Sequence, residues 1–179
     1  MRSRTFTLTF AFACCALLLG LSALASSARA QKKDYLSDAE DAQIRDSNTP
    51  ADRIKLFVSF AGDRIKKLQY ELAHPGDSLH RSDRLNALIN GYAGCMDDAS
   101  DLIELGVDKQ QNIRDAVKNM QGHAPEFLSA LKDIEAKGGE AADYKDNLDD
   151  AIDSTNDAIR TANDAANDLA PPPVRRKPS

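Results

Sequence analysis

Tryptophan is absent from this chain, aromatic residues make up only 6% of it, and three cysteines occur in 179 residues. Each shortage removes a class of protein. Without tryptophan, and with few other rings, there is little from which to build a sugar-stacking platform or a large aromatic hot spot. The glycines do not form a phosphate-cradling loop, and neither a haem-attachment motif nor a nucleophile elbow is present. No segment alternates apolar and polar residues with period two, so no strand is expected. Positive charge is short as well: 23 Lys and Arg stand against 28 Asp and Glu, a net charge of −5. Nucleic-acid affinity comes mainly from neutralising phosphates with Lys and Arg, so binding to DNA or RNA is not expected.

The first 30 residues stand apart in composition. Arg2 and Arg4 make a short positive start, and the apolar run is densest from Phe10 to Leu21. Ser26 and Ser27 then lead into Ala28-Arg29-Ala30, an A-x-A cleavage signal. The alternative is an uncleaved anchor stretched from Phe6 to Leu24. That run is marginal for a span of about 20 residues, and Thr7, Thr9, Gly20 and Ser22 weaken it. The order of positive start, apolar core and cleavage site favours a signal peptide, residues 1–30, cut after Ala30. The product is then exported, to the periplasm or beyond the cell.

Cleavage removes three basic residues (Arg2, Arg4, Arg29) and no acidic one. The mature chain therefore sets 20 basic residues against 28 acidic and carries −8. Cys14 and Cys15 leave with the leader, neither at lipoprotein spacing, and Cys95 alone remains. One cysteine cannot close an internal disulfide, so stability must come from the core. A buried free cysteine is usually an inert small hydrophobe; the alternative is a bridge to a second chain. About 149 residues suffice for one domain with its own core. Nothing after the leader is apolar enough to span a bilayer.

What is present is a repeated heptad signal. Ile54, Val58, Ala61, Ile65, Leu68 and Leu72 are spaced 4-3-4-3-4. The same steps join Leu85, Ile89, Tyr92, Met96, Ala99 and Ile103. They recur through Ile113, Val117, Met120, Ala124, Phe127, Leu131 and Ile134. A fourth set is Leu148, Ile152, Thr155, Ile159, Ala162, Ala166 and Leu169. A 3.5-residue period keeps one apolar seam facing neighbouring helices. Phe57, Leu88, Leu102 and Leu128 widen these seams, as bundle helices need.

The punctuation agrees. Leu36-Ser37-Asp38-Ala39-Glu40 carries a capping box for a short lead-in helix, and Thr49-Pro50 gives an N-cap followed by proline at the first helical position. His74-Pro75-Gly76 stops the first long helix. The second starts between Ser78 and Asp83 and ends at Gly106 as a C-cap glycine. The third runs from near Lys109 to Gly138-Gly139, and the fourth from about Glu140 to Leu169. Pro125 lies inside the third, where it removes a backbone bond. The seam passes it without a phase break, which favours one helix kinked near Gly122 to Pro125 over two helices. Short connections between helices of similar length favour antiparallel neighbours. The expected fold is therefore all-α: an antiparallel up-down-up-down four-helix bundle, residues 31–169, with a short N-terminal lead-in helix.

Candidate sites are few. A di-iron bundle needs two Glu-x-x-His motifs and two further Glu. Glu71-Leu72-Ala73-His74 supplies one, in the last turn of its helix, and Asp77-Ser78-Leu79-His80 is a loose echo in the next loop. His74, Asp77 and His80 are weak candidates for one zinc or copper, against the simpler reading of loop histidines in solvent. His123 has no partner in the sequence. In the fourth helix Asp146, Asp149, Asp150, Asp153 and Asp157 cover one side opposite the seam. That pattern makes a solvated acidic face, open to a basic partner, rather than a calcium loop.

Asn90-Gly91-Tyr92-Ala93-Gly94-Cys95 places two glycines inside a helix at a cost of roughly 1 kcal/mol each. Close approach of a neighbour over glycine would offset that cost. The functional alternative is a polar groove along Asn86, Asn90, Gly94, Asp97 and Asp101 that binds a ligand or partner chain. The last residues, 170–179, hold four prolines and Arg175-Arg176-Lys177. Proline at this density favours an extended, unpacked basic tail, either solvated or tethering the chain to an anionic surface.

Asp34-Tyr35-Leu36-Ser37, Arg53-Ile54-Lys55-Leu56-Phe57 and the stretch Leu85 to Cys95 resemble a set of uncharacterised exported helical proteins of acidobacteria-like soil bacteria. The resemblance covers most of the mature chain. It implies a place in the cell envelope and supplies no residue roles. The expected protein is not an enzyme, since no pair of groups is placed for acid–base or nucleophilic chemistry, and it takes no cofactor. Its partner would be another protein or a cell-wall component, and the alternative is a small-ligand or metal-binding bundle of the periplasm.

Overall fold

The computed structural model describes residues 34–76, 79–137 and 143–169. The leader, the tail, Asp77, Gly138-Gly139 and Glu140 lie outside them. The chain divides into two units, Met1–Lys32 and Lys33–Ser179, and every helix below belongs to the second. The described residues form five helices and no strand, so the fold is all-α. The helices are α1 (Asp38–Asp46), α2 (Pro50–Ala73), α3 (Arg81–Asp108), α4 (Arg114–Lys137) and α5 (Lys145–Asp168). None of them is long and apolar enough to cross a membrane.

The helix starts follow the expected chemistry. At α1 the Ser37 hydroxyl accepts from the Glu40 amide, 3.3 Å, while Glu40 Oε2 accepts from the Ser37 amide, 2.8 Å. At α2 the Thr49 hydroxyl accepts from the Asp52 amide, 3.1 Å, ahead of Pro50. Helix α4 runs unbroken through Pro125, as one helix.

The end of α3 differs from expectation. Gly106 is not the C-cap; the helix continues to Asp108, and no described glycine has positive φ. The left-handed residue is Gln110, φ 52°. Its amide donates to Val107 O and the Gln111 amide to Gly106 O, 2.9 and 2.8 Å, which together make a Schellman closure. Gly106 serves packing instead. A Cβ there would lie 2.7 Å from Ile113 Cδ1, because Ile113 folds back over the last turn. The third long helix consequently starts at Arg114, five residues later than Lys109.

The α3 seam is buried as written, and those of α2 and α4 are buried except at Leu72 and Phe127, which are partly buried. In α3, Leu85, Ile89, Tyr92, Met96, Ala99 and Ile103 are all within 2% of complete burial. In α5 the buried line is Leu148, Ala151, Thr155, Ala158, Ala162 and Ala165, while Ile152, Ile159 and Ala166 are only partly buried. The heptad is present but its phase is turned, so that alanines rather than isoleucines meet the core. Small residues let α5 lie close against large ones: the Tyr92 ring lies opposite Thr155. Thr155 Oγ1 donates to Ala151 O, 2.6 Å, and lies 2.7 Å from the Tyr92 hydroxyl. Burial pushes the Tyr92 phenol up, against the Thr155 bond.

The principal helix contacts are α2 with α3, α3 with α5, α5 with α4, and α4 with α2; α1 lies on α2. The α3–α4 pair, joined by the short loop at 109–113, is not among them.

Candidate functional site

Two buried polar residues interrupt the otherwise apolar core of the described residues, Thr155 and Arg64. Arg64 is 8% exposed and lies on the α2 line Phe57, Ala61, Leu68, where an apolar side chain would be ordinary. Both terminal nitrogens of its guanidinium are engaged. Nη1 donates to Glu40 Oε1 (2.9 Å) and Phe60 O (3.0 Å), and Nη2 to Tyr35 O (2.7 Å) and Glu40 Oε2 (3.1 Å). The two-pronged pair with Glu40 has the fork geometry that makes Arg–carboxylate bonds strong. Burial alone would raise the Glu40 carboxyl, but Arg64 and the Ser37 amide and hydroxyl outweigh it and hold it below its usual value.

The two glycines of α3 belong to this cluster. A Cβ on Gly91 would come within 2.7 Å of Arg64 Nε, and one on Gly94 within 2.7 Å of Tyr35 Cε1. The stem of Arg64 and the ring of Tyr35 thus lie directly on bare helix backbone. Leu36, 4% exposed, completes the attachment of the segment before α1. The Tyr35 hydroxyl is buried without a hydrogen-bond partner among the described residues. Close approach over glycine is therefore made by two side chains, one from α2 and one from the N-terminal segment.

The expected groove residues separate into three groups. Asn86 donates to Asp143 O (3.1 Å) and accepts from Asn147 (2.6 Å), at the start of α5. Asp97, exposed along part of its side chain, has its carboxyl raised by partial desolvation against the lowering hydrogen bond of Ser154 on α5. Gly94 lies under Tyr35, and Asn90 and Asp101 face solvent. Asp98, one turn beyond Gly94, is half-buried, and desolvation followed by the nearby Asp101 charge raises its carboxyl to about 6.

The two histidines among the weak metal candidates, His74 and His80, have contacts of their own. His74 Nδ1 lies 3.0 Å from Tyr70 O with its ring stacked on Tyr70, and His80 Nδ1 lies 3.2 Å from Asp83. Asp77 is outside the described residues, and no group of three His, Cys, Asp or Glu among those residues is placed to hold a metal. His123 stacks on Phe127. Cys95 is fully buried, which takes its thiol out of reach of a second chain.

Beside the clasp that Arg64, Glu40 and Tyr35 form, a hollow of about 640 Å³ opens between α2 and α3. Tyr35, Ser37 and Glu40 line it beside Arg64, and Tyr70, Glu71 and Arg84 line it towards the α2–α3 connection. The sequence reading missed Arg64, Glu40 and Tyr35 as a unit. One signal was available: a charged residue on a heptad line of α2, matched by two small residues on α3. No protein-family model, curated protein or solved structure matches the chain.

Proposed function

We propose that this chain is an exported, non-enzymatic binding or structural component of a bacterial cell envelope, built as an antiparallel four-helix bundle with a lead-in helix clasped to its side. The observation that carries the reading is how the interior is used. Its buried lines are apolar, and the two buried polar side chains, Arg64 and Thr155, are both spent on internal bonds. Recognition then falls to the outer faces, among them the α2–α3 cleft and the acidic side of α5.

The bundle reading rests on cross-helix pairs. Arg64 over Gly91 and Arg84 near Glu71 (3.6 Å) set α2 against α3 in opposite directions. Gln121 with Asn163 and Arg114 with Leu169 do the same for α4 and α5. Asn86 with Asn147, Tyr92 with Thr155 and Glu104 with Thr161 rise together, so α3 and α5 run side by side in one direction. These pairs support directions that alternate along the chain, with the 109–113 loop crossing between helices that are not principal neighbours. A short bismaleimide should bridge Gln121→Cys to Asn163→Cys in a Cys95→Ser background and fail between Gln121→Cys and Asn147→Cys. The reverse pattern would refute the arrangement.

Export is tested by fractionating the native host. The expected product starts at Gln31 and appears in the envelope or periplasmic fraction; an intact leader in the cytoplasm would overturn the reading. Native mass spectrometry of that product tests the second reading, a small-ligand-binding bundle, which the size of the α2–α3 cleft favours.

A further inference from the structure

The α2–α3 cleft has a volume of about 640 Å³, within the range of roughly 300–1,000 Å³ common to small-molecule sites. Its apolar surface comes from the Tyr70 ring, Leu88 and Ala87. Tyr70 is 63% exposed, an unusual position for a ring in a chain so poor in aromatics, and it is held by stacking on His74 at 4.3 Å. The charged lining is unbalanced. Glu40 is consumed by Arg64, and Glu71 faces Arg84 at 3.6 Å, while Lys66 leans to Asp63 at 3.3 Å. Lys67 pairs with no carboxylate among the described residues. Of the four cationic side chains lining the cleft, three are paired and Lys67 leaves one positive charge unmatched, in a chain whose overall charge is negative.

We propose that this cleft binds a small anionic molecule with an apolar ring or chain, its acid group against Lys67 and Arg84 and its apolar part on Tyr70 and Leu88. The inference deepens the binding reading above and rests on it. The unmatched charge of Lys67 repels a cation that the Tyr70 face would otherwise attract.

The probes are anilinonaphthalene sulfonate and its uncharged relative phenylnaphthylamine, added to the folded mature chain. The sulfonate should bind saturably, at one site, about tenfold more tightly than the neutral probe, and less tightly as salt rises. Lys67→Glu should weaken it about tenfold, and Leu88→Gln should weaken both probes. Lys118→Glu, at an exposed position of α4, should change neither. Circular dichroism and the melting temperature verify that each variant is folded. Absence of saturable binding, equal affinity for the two probes, or indifference to both cleft substitutions would overturn the proposal. Any of these would leave export and envelope residence standing. A cytoplasmic location would unseat that reading without altering probe binding.

Discussion

Replacing Gly94 by alanine should destabilise the parent protein and stabilise one that lacks the Tyr35 ring. In an exposed helix, glycine to alanine gains about 1 kcal/mol from propensity alone. Over Gly94 the new methyl would lie 2.7 Å from Tyr35 Cε1 and 2.9 Å from Cδ1, closer than carbon atoms tolerate. The ring cannot simply lift away, because Arg64 holds the Tyr35 carbonyl at 2.7 Å and Leu36 next to it is buried. Overpacking of this kind costs about 2 kcal/mol, so Gly94→Ala should lose about 1 kcal/mol net in the parent. In a Tyr35→Ala background the clash is gone and the same substitution should gain about 1 kcal/mol, a coupling of about 2 kcal/mol between the two sites. Gly122 is the internal control: nothing lies within 4 Å of a Cβ built there, and Gly122→Ala should gain about 1 kcal/mol in either background. Urea unfolding of the mature chain, followed by far-UV circular dichroism, measures all of these. If Gly94→Ala stabilises the parent as much as Gly122→Ala does, Tyr35 does not rest on α3 and the clasp reasoning fails.

Three further outcomes are expected. Asp98 has a carboxyl raised from 3.8 to about 6, so its contribution to stability is full below pH 4 and lost as pH rises through 6. Asp98→Asn should therefore be more stable than the parent above pH 6, by about 1 kcal/mol after allowing for the half of the group that water screens, and should match it near pH 4; equal stability at both pH values would refute this. Tyr92→Phe removes a buried hydroxyl at 2.7 Å from Thr155 and should cost about 1 kcal/mol in urea unfolding, an effect that vanishes in a Thr155→Val background. Gln110→Gly relieves a left-handed residue at φ 52° and should raise stability by about 0.5–1 kcal/mol with unchanged helix content; a loss would mean that the Gln110 side chain contributes something other than its backbone angle.

Where the chain's own neighbours in sequence decide the structure, the reading was good. The Ser37–Glu40 box, the Thr49-Pro50 start and the stop at His74 are local chemistry, and the structure has them at those residues. The seams of α2, α3 and α4 were equally legible, because bulky apolar residues at heptad spacing have one sensible way to face. Helix α5 was ambiguous for a physical reason. Its Leu, Ile and Ala residues form two adjacent lines, and size complementarity with Tyr92 on α3 selects the alanine line. Gly106 was misread because glycine near a helix end normally signals a left-handed cap, while here Ile113, folding back, requires the space. The groove residues show the same limit. A polar row on α3 is visible in sequence, but which neighbour covers each position is decided by Tyr35, Arg64 and the start of α5, from distant parts of the chain.

The alanine line of α5 has a consequence for how firmly that helix is held. A buried methyl removes far less apolar surface from water than a buried leucine or isoleucine, so each turn of α5 contributes less to cohesion than a turn of α2 or α3. Asp146, Asp150, Asp153 and Asp157 meanwhile repel one another along its exposed side. Opening should consequently begin there: amide protons of α5 should exchange with deuterium before those of α3, and the gap should widen as salt is withdrawn. The protein would then have a firm half and a loose half, with the clasp and the cleft both on the firm one.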